Sequence, residues 1–209
     1  GGTFYTSMRA YPLTLRVVGP NANDAFASWK RANTMGFSLV TRHPTTDNYI
    51  PVMATHWSIQ SDGRTIYYRL DEDARWSDGK PLTAADYVHT WHMMQSENIV
   101  DPFFNQYAKD YYEEVVAVEP YVLKVAGKFE SWRPLDMFDI WATPQHAVTL
   151  EEGFPERYNT AVLPVQGPYV LTEQEAGQFV VFERLEDWWG KDKQYFQGMY
   201  NVDRIHIRV

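Results

Sequence analysis

The sequence predicts an α+β fold built around a mixed β-sheet. Short extended runs bounded by Gly, Pro, Asn and Asp dominate the chain, and one helical pattern carries a clear start signal. Strands and helices follow one another without the strict alternation of a parallel-sheet protein. With 209 residues the chain can bury a core of its own, since a chain of this size hides roughly 70% of its unfolded surface.

Thr3 to Met8 reads as a first strand, and Gly19-Pro20 opens a turn-rich loop through Asn21 to Asn23. Asp24 is placed to N-cap a helix from Ala25 to Asn33. Phe37 to Val40 is a brief apolar run, and the polar stretch His43 to Tyr49, with Pro44, is a connection. A hairpin follows: Ala54 to Ile59, a turn at Ser61-Asp62-Gly63, then Thr65 to Leu70 with β-branched and aromatic residues in near alternation. Beyond a second turn at Ser77-Asp78-Gly79, Thr83 and Asp86 form a Thr-x-x-acidic capping signature. The helix they open puts Tyr87, Val88, Trp91 and Met94 on one face.

Tyr111 to Val118 and Tyr121 to Ala126 make a second strand pair around Glu119-Pro120. Pro144 to Leu150 starts a short helix. Tyr169 to Leu171 and Phe179 to Glu183 make a third pair, turning at Glu175-Ala176-Gly177, and Val202 to Val209 alternates as a half-buried strand.

Composition removes several function classes. The chain carries 27 acidic and 19 basic residues, a net charge of −8 with no basic block, so neither nucleic acid nor an anionic membrane surface is an expected partner. It has no cysteine, which excludes disulfides, thiol nucleophiles and Cys-based metal sites. No stretch approaches the ~18 uncharged apolar residues of a membrane span. The abrupt Gly1-Gly2-Thr3 start reads as an excised piece whose targeting segment has been trimmed.

One run of residues goes further. Ala54-Thr55-His56-Trp57-Ser58-Ile59, Ser61-Asp62-Gly63-Arg64-Thr65 and Ala74-Arg75-Trp76-Ser77-Asp78-Gly79-Lys80-Pro81-Leu82-Thr83-Ala84-Ala85-Asp86-Tyr87-Val88 follow in order. Together they resemble the family-5 solute-binding proteins, the dipeptide and oligopeptide receptors of bacterial ABC importers. Gly1-Gly2-Thr3, Pro12-Leu13-Thr14-Leu15, Gly167-Pro168-Tyr169, Trp188-Trp189 and Val202-Asp203-Arg204-Ile205 resemble flanking family segments. Gln166 stands where a Gly-Thr pair is common. The likeness covers essentially the whole chain but only the first lobe of such a receptor.

The resemblance implies a periplasmic-binding-protein type II-like first lobe, with residues 1–45 and 165–209 around a mixed β-sheet and 46–164 as an inserted smaller α+β subdomain. The second lobe is absent from this chain, so it supplies one wall of the cleft and is expected to bind solute weakly alone. It implies a monomer, periplasmic or anchored outside the inner membrane as a lipoprotein. That monomer captures a peptide or peptide-like solute and delivers it to an inner-membrane ABC permease, touching the membrane complex only peripherally. No chemical step is implied. Asn21, Ala22 and Asn23 fall where family members place a loop that hydrogen-bonds the ligand backbone, although Asn also favours ordinary turns. Asn105 and Tyr107 fall in a second stretch resembling a cleft wall, beside Phe103 and Phe104, where packing after Pro102 is the plain alternative.

Asp86, His89 and His92 recur every three residues on the capped helix, but that spacing walks around the helix, so no metal and no cofactor are expected. Two other functions stay open. A ligand-sensing domain of a bacterial transcriptional regulator uses the same fold, and a glycoside hydrolase could use acidic pairs such as Glu113-Glu114 or Glu151-Glu152, whose side chains diverge.

Overall fold

Thr65 to Leu70 alternates β-branched and aromatic residues, and its burial alternates with it: Ile66, Tyr68 and Leu70 lie inside. A computed structural model describes residues 1–209 and shows this segment (β5) paired antiparallel with β4 (Ala54–Ile59), Trp57 opposite Tyr68. The turn between them is set by Asp62, whose carboxylate accepts hydrogen bonds from the Arg64 and Thr65 N–H groups and the Thr65 hydroxyl. β7 (Val122–Gly127) and β6 (Tyr112–Glu119) complete a four-stranded antiparallel sheet in the order β4-β5-β7-β6.

The predicted cap forms. Helix α2 (Ala84–Gln95) starts behind Thr83, whose N–H donates to Asp86 Oδ2 at 2.9 Å. Asp86 is buried and also accepts from Trp76 Nε1 and the Gln145 N–H, so its carboxylate is fully engaged in holding the helix start against its surroundings. Trp76 is itself fully buried, as a scaffold residue should be.

A second four-stranded sheet is mixed. β1 (Thr3–Ser7) runs parallel to β10 (Arg204–Arg208), which pairs antiparallel with β9 (Phe179–Arg184), and β9 with β8 (Tyr169–Glu175). A small ladder joins β2 (Val40–Arg42) to β3 (Tyr49–Pro51). The largest core cluster joins Ile66, Tyr68, Leu82, Tyr87, Leu123 and Phe138 to Phe37, Leu39, Trp188 and Phe196. Each buried side chain of this size contributes about 2 kcal/mol. At the junction Gln166 is fully buried, its side-chain amide donating to Met35 O and its backbone carbonyl accepting from Trp188 and Trp189 Nε1. A side chain at Gly167 would meet Asn33 O at 2.8 Å, which is why glycine stands there.

Two local expectations are revised, and three further helices appear. The Ala25 helix is α-helical only over Ala25–Lys30 (α1) and continues as a π-turn over Arg31–Met35, with Gly36 N–H donating to Arg31 O. Pro144 to Leu150 makes a single turn and no helix, its Val148 N–H reaching Pro144 O before the chain extends. Pro102–Tyr111 is helix α3, with Asp101 as N-cap and Pro102 at the first position. Two short helices, α4 (Pro134–Met137) and α5 (Phe154–Arg157), were also not anticipated.

Asp24 caps α1 as expected, accepting the Ala27 N–H at 2.7 Å. Asp24→Ala should cost about 1 kcal/mol in a denaturant titration; an unchanged midpoint would count against that cap.

Candidate functional site

Gly19-Pro20-Asn21-Ala22 folds as a tight turn because each residue suits its place. Pro20 sets the second position, Asn21 takes the positive φ of 62° at the third, and Ala22 N–H closes the turn onto Gly19 O. Gly19 itself has φ 84°, and any side chain there would lie 2.6 Å from Ile99 O. The turn is thus pressed against the entry to α3.

Asp101 joins the two. Its Oδ1 accepts the Phe104 N–H at 3.2 Å, capping α3, while its Oδ2 accepts the Gly19 N–H at 2.8 Å. Just before it, Val100 is forced into the left-handed region at φ 52°, a strained conformation for a β-branched residue. Phe103 projects 71% exposed beside this junction, and Phe104 packs edge-on to Trp141. The Arg31 guanidinium lies 5.8 Å from the Phe104 ring centre and 5.6 Å from that of Trp141.

Three cations bond the backbone of residues 15–20, and Arg16 alone reaches the turn itself. Arg16 donates to Val18 O at 2.7 Å and Pro20 O at 2.8 Å, Arg31 to Val17 O, and Lys30 to Leu15 O. Burial pushes the Lys30 ammonium down to about 8 and lowers Arg16 and Arg31, the latter two countered by the charges of Glu156 and Asp101 respectively.

The five residues singled out in the sequence fall into two groups. Asn21 and Asn23 are exposed on the turn and Ala22 is buried, so Ala22 contributes packing and backbone only. Asn105 donates both amide hydrogens to Met94 O and Ser96 O at the end of α2, leaving its Oδ1 as acceptor. Tyr107 stacks on Tyr111 at 4.3 Å, and its hydroxyl reaches Met137 O at 3.4 Å. The bridge between the groups is Asp101, whose only signal in the sequence is the Asp-Pro pair that starts a helix. Nothing in the local sequence marks Arg16, Arg31 or Trp141 as neighbours.

This arrangement offers hydrogen-bonding backbone and amide groups beside exposed aromatic surface, which suits holding a solute. No helix is long and apolar enough to cross a membrane. Residues 48–209 match the family described as bacterial extracellular solute-binding proteins, family 5 Middle. The chain is 26% identical over 192 residues to the probable peptide-binding protein YejA of Agrobacterium fabrum, covering 88% of this chain and 31% of that protein. It is 28% identical over 148 residues to the peptidoglycan-binding protein YepA of the same organism, covering 68% of this chain and 23% of that one. It therefore spans about a quarter to a third of these relatives' length. Listeria monocytogenes OppA bound to peptide superimposes with a TM-score of 0.80 at 18% identity, covering 99% of this chain and 42% of that one, a likeness of fold. The match over residues 48–209, more than half of the sequence, places this chain in family 5 of the bacterial extracellular solute-binding proteins.

Proposed function

We propose that the chain forms one wall of the solute cleft in the binding component of an ABC importer, which captures peptides or peptide-like solutes outside the inner membrane and passes them to the permease. Membership of family 5 carries this reading. The fold shared with a peptide-bound OppA and the likeness to a probable peptide-binding protein support the solute class. The turn Asn21, Ala22 and Asn23 and the α3 residues Asn105 and Tyr107 contribute to the wall, Ala22 through its backbone and Asn105 through its free Oδ1. Residues 1–45 with 165–209 form the main subdomain, with 46–164 inserted, in a monomer that is periplasmic or anchored as a lipoprotein.

A peptide library titrated against the 209-residue chain and against the longest natural chain containing it tests this. The longer chain is expected to bind at least about tenfold more tightly, because closure of a second wall buries the solute. Equal affinities would refute the one-wall reading, and no binding by the longer chain would refute the peptide class.

A further inference from the structure

The chain has a net charge of −8, yet it buries two cations, Arg16, which holds the Gly19–Ala22 turn through Pro20 O, and Lys30, which donates to Leu15 O. Neither they nor Arg31 has a carboxylate within 4.0 Å. Two buried carboxylates are treated differently: Asp71 is paired with Lys193, and Asp86 is enclosed by three N–H donors. A buried charge that no counter-charge touches is costly, so positive charge kept beside an exposed turn points to an anion outside it.

The peptide geometry gives that charge an outlet. Arg16 Nη2 holds the Pro20 carbonyl at 2.8 Å. In a planar trans peptide the Asn21 N–H points opposite to that carbonyl, away from the guanidinium. This N–H makes no hydrogen bond within the chain, and Asn21 is exposed. A cation on the carbonyl polarises the same peptide unit and strengthens its N–H as a donor. Asn21 and Asn23, both exposed on the turn, carry further amide donors.

We infer that the Asn21 N–H receives a carboxylate of the bound solute, with Arg16 behind the turn and Arg31 beside it balancing its charge. In a peptide-like solute this is the C-terminal or a side-chain carboxylate. The inference rests on the proposed solute-binding role, but its first test does not.

In the 209-residue chain, amide NMR during titration with sodium acetate should move the Asn21 N–H resonance, and titration with acetamide should not. Arg31→Gln should weaken the acetate response about threefold, and sodium chloride should weaken it further. An Asn21 amide that ignores acetate, or answers acetamide equally, overturns the inference. In the longest natural chain, trialanine should bind about tenfold more tightly than its C-terminal amide. Equal binding of the two overturns the carboxylate assignment and leaves the peptide-binding role standing, whereas absence of binding to both strikes at that role instead.

Discussion

Lys193→Met is expected to lower the unfolding free energy by about 3 kcal/mol, because it strands a carboxylate inside the protein. Asp71 is buried, and Lys193 Nζ lies 2.8 Å from its Oδ2 and 2.8 Å from Asp73 Oδ2, while the Tyr195 hydroxyl reaches Asp71 Oδ2 at 3.3 Å. The Lys193 side chain is three-quarters buried, and that burial disfavours its charge; its hydrogen bonds to both carboxylates outweigh this and raise its pKa. The pair ties the segment between β9 and β10 to the segment that follows β5. Asp71→Asn in the Lys193→Met background should recover most of the loss, since the amide oxygen can still accept the Asp73 N–H. Denaturant titration of the two variants checks this, and a double variant no more stable than Lys193→Met alone would show that packing, not charge, was lost.

Asp139→Asn is expected to stabilise the protein above pH 7 by about 2 kcal/mol and to change little near pH 4. Burial lifts the Asp139 carboxyl from its ordinary 3.8 to about 6, against hydrogen bonds from Ser38, Leu39 and Ile140 that favour the charged form. The folded state therefore holds the proton more tightly than the unfolded chain. The side chain's favourable contribution is complete below pH 4 and is lost as pH rises through 6. Full enclosure would give nearly 3 kcal/mol for a rise of this size. The residue keeps partial solvent access around its enclosed carboxyl, and that screening reduces the figure to about 2. The buried hydroxyls of Tyr68 and Tyr87 have no partner and gain nothing from the charge, which raises their pKa further. Thermal unfolding of both proteins at pH 4 and pH 8 decides it: an equal difference at the two pH values would rule out titration of Asp139 as the cause.

What could be read along the chain was local. The β4–β5, β6–β7 and β8–β9 hairpins and the capped start of α2 stood out because Asp62-Gly63, Thr83 and Asp86 act on backbone groups two or three residues away. Helix α3 escaped because its aromatic residues Phe103, Phe104, Tyr107 and Tyr111 serve helix, strand or pocket equally well, and only the Asp101-Pro102 start marked it. The Pro144 helix failed for the opposite reason: a good start was followed by no apolar stripe to hold a second turn in place.

The candidate site divides in the same way. The turn chemistry of Gly19 to Asn23 was visible in the residues, and resemblance pointed to the α3 segment, but their junction through Asp101 spans 82 positions from Gly19. The pairing of β1 with β10 joins Thr3 to Arg204. Turns, caps and alternation were determined by the sequence itself, because their forces act within one or two turns of chain. Which segments lie side by side, that the buried Arg16 stands behind one exposed peptide, and that Asp139 is enclosed were decided only by tertiary packing. Burial and distant contacts depend on the whole core closing at once.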